Sequence, residues 1–254
     1  MRGSNVVLVL LVTVALGLGL IGCKDGTPQS DLDQFILQMD SLDSSTRADS
    51  LRTIAGQGMP RAAYATYVTG NNFYIIAGDT ARVLGWGSAK ANAMLDSAEV
   101  YFNAAVAMDS SFVEALVNLG SLWDDRAEQL SGRANRDEKV AKAESFYMLA
   151  LKADPLDEKA RCNLGSLYLR QRRTMDAKAQ FQKVLENDPK SSLAHYNMAI
   201  MFAEAKIYRE AINEWELAVK YDPDGDVGER SRDNIDIVKD LMTTQVPKSS
   251  KSSH

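Results

Sequence analysis

Residues 161–170 read RCNLGSLYLR, and residues 116–123, 45 positions earlier, read LVNLGSLW. Asn118-Leu-Gly-Ser-Leu-Trp123 is thus nearly repeated as Asn163-Leu-Gly-Ser-Leu-Tyr168. A hexapeptide spelled twice in one short chain points to an internal repeat, and its period governs how every other stretch is read. Proline supplies the period. Asp154-Pro155, Asp188-Pro189 and Asp222-Pro223 set three prolines 34 residues apart. Proline has no N–H with which to continue a helical ladder, so each pair marks the stop between helical units.

Between Pro155 and Pro189 stand Leu164, Gly165, Tyr168, Ala177 and Phe181; the next unit has Met198, Ala199, Phe202, Ala211, Trp215 and Ala218. Small residues fall where two helices must touch, and large ones where neighbouring hairpins must be filled. That alternation lets helix faces interdigitate. The order and period resemble the tetratricopeptide signature of Leu-Gly, aromatic, Ala, aromatic, Pro. The resemblance covers residues 113–223 and extends in diluted form back to about residue 71. It implies an all-α fold: a right-handed α-solenoid of helical hairpins, first helices on the concave side, with capping helices.

Asn118–Trp123 then belongs to the first helix of an earlier repeat, whose second helix carries Ala143, Tyr147 and Ala150. Its offset leaves eleven extra residues, assigned to the polar stretch 126–138. A more divergent hairpin precedes it. Its second helix carries Ala98, Phe102 and Ala105 before Asp109-Ser110, with Ser110 in the place of proline. Its first helix takes in Tyr74–Val83, with Gly78 at the small position, about eight extra residues, and a turn at Gly85-Trp86-Gly87. The expected organisation is a signal segment over 1–22, a tether over 23–30, N-terminal helices over 31–110, three repeats over 111–225, a cap over 226–243 and a disordered tail over 244–254. Leu32, Phe35, Ile36, Met39 and Leu42, then Ala48, Leu51, Ile54 and Ala55, keep helical spacing in the N-terminal part. Ile235, Ile237, Val238, Leu241 and Met242 do so in the cap, which an end repeat needs to cover its apolar face.

The first 22 residues differ from the rest. Arg2 precedes an uncharged apolar run, Val6–Leu20, of signal-peptide length and short for a membrane span. The run closes in Leu20-Ile21-Gly22-Cys23, which resembles the bacterial lipobox. The resemblance implies cleavage before Cys23 and a lipidated Cys23 as the membrane anchor. With Lys24 rather than Asp following, it points to the periplasmic face of the outer membrane in the bacterial cell envelope. A plain secretory signal and an uncleaved anchor helix are the alternatives. Gly17-Leu-Gly19-Leu-Ile-Gly22 spells a dinucleotide fingerprint but lacks its strand–turn–helix context, so it is set aside. With Cys23 acylated, Cys162 is the one remaining thiol and no intramolecular disulfide forms.

A net charge of -5 and a pI near 5.2 argue against a nucleic-acid surface, which needs clustered Lys and Arg. No metal-site, thiol-redox or phosphate-loop spacing occurs, and the chain has two histidines, His195 and His254. No catalytic residue, metal or cofactor is expected. His195 reads as a packing residue, Cys162 as a buried inert thiol, and Asp124-Asp125 as a solvated helix end.

One constellation stands out: Asn118, Asn163 and Asn197 share a register position in three successive first helices. On the concave face they would form a column of carboxamides suited to a peptide backbone, whatever its side chains. The alternative is that each binds its own helix or water. Specificity would come from neighbours: Glu114, Ser121 and Asp125; Lys159, Cys162, Ser166 and Arg170; Tyr196, Ile200 and Glu204. The Lys and Asn set of a carboxylate clamp is incomplete. The expectation is a scaffold or adaptor that holds a protein or peptide in its groove and supports an envelope assembly. One alternative is an enzyme or regulatory module acting on peptidoglycan or peptides near residues 60–90, where Tyr64, Tyr67, Tyr74 and Trp86 cluster. Another is self-association through the aromatic N-terminal repeat.

Overall fold

The computed structural model describes residues 59–128 and 133–244. The signal segment, Cys23, the tether, the two helical patterns before residue 56 and the tail lie outside the described residues. Among the described residues there are nine helices and no strand. They are α1 (Met59–Leu84), α2 (Ala89–Met108), α3 (Val113–Glu128), α4 (Arg133–Ala153), α5 (Glu158–Arg170), α6 (Thr174–Asn187), α7 (Ser192–Glu204), α8 (Tyr208–Tyr221) and α9 (Asp226–Thr244). Successive pairs form four hairpins in a right-handed solenoid, and α9 packs on the last.

The repeat is written into the ends of its helices. Asp157 caps α5 by accepting the Ala160 N–H at 2.6 Å, and Ser191 caps α7 through the Ala194 N–H at 2.9 Å. Each cap satisfies an amide that the first turn leaves without a helical partner. Asp109, Asp154 and Asp188 each accept the backbone N–H two residues on, at 2.9 Å in all three turns. Ser110 therefore sits in the same turn as Pro155 and Pro189, because the Asp side chain organises it. Within the hairpins, Arg172 and Lys206 adopt φ of 65° and 62°. They close α5 and α7 with backbone bonds from Arg173 to Tyr168 and from Ile207 to Phe202, both 2.9 Å. This is a six-to-one helix closure that needs a left-handed residue, ordinarily glycine.

The core runs along the hairpin contacts. Phe102, Tyr147 and Phe181 are fully buried, each flanked by buried alanines one turn away, save that Val184 follows Phe181. Glycine makes room for these rings. A Cβ on Gly165 would lie 2.4 Å from Phe181, and one on Gly120 would lie 2.4 Å from Tyr147. In the last hairpin Ala199 and Trp215 occupy the same pair of positions within one buried cluster.

The first hairpin obeys the same rule with another glycine. A Cβ on Gly70 would meet Phe102 at 2.9 Å, whereas one on Gly78 meets nothing within 4 Å. The small position is thus Gly70, two helical turns before the expected Gly78. Gly70 and Phe102 are 32 residues apart where Gly165 and Phe181 are 16 apart, so the hairpin holds sixteen extra residues rather than about eight. The additions lengthen its helices to 26 and 20 residues, against 13 and 14 in α5 and α6. The second hairpin behaves alike: helices of 16 and 21 residues absorb most of the eleven extra positions that polar sequence had assigned to a turn. The extension is held by charge: Arg126 pairs with Glu99 at 2.5 Å and Asp96 at 2.6 Å, and Lys142 lies 4.2 Å above the Trp123 ring. In α9, Ile235 and Val238 join the buried Trp215 cluster, while Ile237 and Leu241 face outward.

Candidate functional site: a polar stripe along the first helices

The register sets one face of each first helix side by side. On α3 this face carries Glu114, Asn118, Ser121 and Asp125; on α5, Lys159, Asn163, Ser166 and Arg170, all at three- and four-residue spacing. In the Gly70 register the equivalent positions on α1 are Tyr64, Val68, Asn71 and Ile75. Residues 68–73, VTGNNF, therefore align with NLGSLW, and Val68 takes the place of the asparagine.

The three asparagines are the rungs of a ladder. Asn118 Nδ2 donates to Asn71 Oδ1 at 3.1 Å and to the Tyr67 hydroxyl at 3.3 Å. Asn163 Nδ2 donates to Ser121 Oγ at 3.2 Å. Ser166 Oγ donates to Asn197 Oδ1 at 3.0 Å, and Asn197 Nδ2 donates to Leu193 O in its own helix at 2.9 Å. In each rung the residue after the small position bonds the asparagine of the next first helix. The column thus links consecutive hairpins, while Asn118 Oδ1 and Asn163 Oδ1 take no partner among the described residues. Such a polar seam is worth about 0.5–1.5 kcal/mol per bond.

The remaining residues divide by exposure. Lys159 is exposed. Arg170 is also at the surface, but its guanidinium pairs with Asp124 and, at 3.4 Å, with Glu128. Tyr196 is buried: its hydroxyl accepts from Arg230 at 3.0 Å, and that guanidinium stacks 4.7 Å over the ring. The terminal helix therefore covers Tyr196, and its ring offers a partner little surface. Cys162 is fully buried, and burial pushes its thiol well above the ordinary range, so it contributes no surface chemistry.

Asp124 and Asp125 are not a solvated helix end. Asp125 accepts the Tyr74 hydroxyl at 2.5 Å, and Asp124 takes Arg170. Burial, reinforced by Asp124 and Glu128, pushes the Asp125 carboxyl up to about 6 against the lowering effect of the Tyr74 bond. Burial and the Glu114 carboxylate likewise push the Tyr67 hydroxyl up to about 12. His195 lies between two acceptors, with Nδ1 2.7 Å from Glu214 Oε2 and Nε2 3.2 Å from Pro189 O. Only the doubly protonated ring donates to both, and the Glu214 bond raises its pKa. Among the described residues no group of three or more His, Cys, Asp or Glu could hold a metal ion, and no helix is long and apolar enough to cross a membrane.

Sequence reading missed Asn71 and placed Tyr67 only in an aromatic cluster, not beside Asn118. The signal was the Val-Thr-Gly-Asn-Asn-Phe segment, hidden because its spacing to the next aromatic is doubled.

Comparison with known proteins agrees with this architecture. Residues 162–226 match the family model described as tetratricopeptide repeat. No curated protein sequence matches the chain. Among solved structures, TTC0263, a thermophilic tetratricopeptide protein of Thermus thermophilus, superimposes with a TM-score of 0.55 at 13% identity, covering 70% of this chain and 89% of that one. The human IFIT1 dimer with m7Gppp-AAAA superimposes with a TM-score of 0.53 at 17% identity, over 70% of this chain and 39% of that one. At these identities the likeness is one of fold alone.

Proposed function

We propose that the chain is a membrane-tethered scaffold of a bacterial envelope, anchored through lipid on Cys23 at the periplasmic face of the outer membrane. On its concave, first-helix face it holds an extended segment of a partner protein. One observation carries the reading: hydrogen bonds link the first helices of four successive hairpins, and the carboxamide oxygens of Asn118 and Asn163 take no partner among the described residues. An extended backbone presents N–H groups that these oxygens accept whatever the sequence. Lys159 and Glu114, both exposed, supply charge selection on either side.

The test is to capture the partner from envelope extract and measure its affinity by calorimetry. The Asn118, Asn163 and Asn197→Ala triple variant loses about 5- to 150-fold in affinity, from roughly 0.5–1.5 kcal/mol at each of Asn118 and Asn163; Asn197, buried with both carboxamide atoms bonded within the protein, adds nothing to binding. Ser121→Ala with Ser166→Ala breaks the same rungs but keeps the carboxamides, so it lowers stability while affinity holds. Equal affinity of the triple variant and wild type overturns the groove. Separately, Cys23→Ser releases the protein from membranes, since stable anchoring needs more than one acyl chain. Unchanged incorporation of a fatty-acid label into Cys23→Ser overturns the anchor.

A further inference from the structure

Helix α1 continues fourteen residues beyond its small position Gly70, whereas α5 and α7 continue five beyond theirs. The additional turns and the following Trp86 line an open, shallow cleft of about 320 Å³ against α3, at the end of the polar stripe. Tyr74, Ile75, Gly78 and Trp86 wall it, Asp125 lies in it, and Asp79 and Arg82 also line it. That volume is at the low end for ligand pockets and suits one long side chain. Gly78 keeps it open, since a Cβ there would meet nothing within 4 Å.

Its electrostatics are one-sided. Asp125 accepts one hydrogen bond, from Tyr74, and among the described residues it has no ion-pair partner. The nearby guanidinium of Arg170 is committed to Asp124 and Glu128. Arg82 is held 3.2 Å from Asp79, one turn back on its own helix, with both side chains largely in water. The interior therefore presents a carboxylate without a counter-ion beside an indole and an isoleucine, and two more carboxylates stand behind it. This combination recognises a cation on an apolar stem: the ring and aliphatic wall take the methylenes and the carboxylate takes the head.

We propose that this cleft is a subsite for one arginine or lysine side chain of the segment held along the stripe, with Asp125 as its acceptor and Trp86 as its wall. The inference rests on the peptide-holding reading and adds to it a requirement for positive charge at one end of the bound segment.

The experiment titrates the full chain with acetyl-arginine amide, acetyl-lysine amide and the neutral isostere acetyl-citrulline amide, following the Trp86 indole N–H by NMR. The two cationic amides shift that resonance saturably at millimolar concentration, and the citrulline amide does not. Asp125→Asn weakens binding at least about fivefold by removing a charge-assisted bond. Wild-type binding strengthens as pH rises from 5 to 7, following ionisation of a carboxyl whose pKa is about 6. Gly78→Leu fills the cleft and abolishes binding while the melting temperature stays at or above wild type, because leucine is the better helix former. Citrulline amide binding as tightly as arginine amide overturns the proposal. So does undiminished binding to folded Gly78→Leu. A captured partner weakened by the asparagine substitutions but indifferent to Gly78→Leu would leave the groove reading standing and refute this one.

Discussion

The first hairpin and the third solve one packing problem at two lengths. In α5 and α6, Gly165 and Phe181 meet across 16 intervening steps of chain; in α1 and α2, Gly70 and Phe102 meet across 32. Both rings are fully buried, and both glycines lie where a Cβ would strike the ring. What is preserved is the contact, and helix length is free to grow away from it. The reason is geometric: antiparallel helices gain residues in matched turns at the turn end of the hairpin without moving the pair that fixes their separation. The extra turns then become surface, and in α1 that surface is the cleft wall.

The severest way to break this equivalence is to remove the rings. Phe181→Ala and Phe102→Ala should each cost about 3–5 kcal/mol in chemical denaturation, since each leaves a large void among buried alanines. A loss under about 1 kcal/mol at Phe102 would mean that the first hairpin is not built like the third.

The glycines sharpen the comparison through a change of sign. Gly165→Ala places a methyl 2.4 Å from a ring with nowhere to go and should destabilise by about 1–3 kcal/mol. Gly70→Ala, at 2.9 Å, should cost less. Gly78→Ala should stabilise by up to about 1 kcal/mol, as helix propensity alone dictates. Destabilisation by Gly78→Ala would return the small position to residue 78.

The last hairpin offers a pH handle that the first lacks. The Glu214 bond raises the folded-state pKa of His195 above its unfolded value near 6.5. The associated stability is therefore fully present below about pH 6.5 and is lost as pH rises through the folded pKa, with a size of order 1 kcal/mol. His195→Gln should flatten that part of the stability–pH curve. An unchanged slope would show that the ring is neutral in the fold.

The smallest effect lies in the turns. Arg172→Gly and Lys206→Gly replace side chains held at positive φ. Relief of about 1–2 kcal/mol of strain, less about 0.5–1 kcal/mol of added backbone entropy, leaves a gain of roughly 0.5–1 kcal/mol. Equal gains at both would show that the third and fourth hairpins close alike.

Much of this was legible in the residues. The Asp-Pro spacing, the duplicated NLGSLW segment and the aromatic–alanine pattern of the second helices depend on local rules: proline stops a helix, and a buried face repeats every three or four residues. They determined an all-α hairpin repeat and most of its core. Where the chain departs from its period, local rules lose their anchor. Gly70 and Gly78 both lie in helical sequence, and only the approach of Phe102 distinguishes them. The polar residues 133–138 suggested a turn, yet they extend α4, supported by cations stacked on Trp123 from across the hairpin. The asparagine column was visible as a register, but its partners Asn71, Ser121 and Ser166 lie on neighbouring helices 31 to 47 residues away. Tyr196 read as a surface ring until α9 covered it, and Asp125 read as a solvated acid until Tyr74 reached it from 51 residues back. Periodicity along one helix determines which side chains share a face; only the docking of a second helix decides whether that face meets water, a ring or a hydroxyl, because burial and hydrogen bonding belong to pairs of elements distant in the chain.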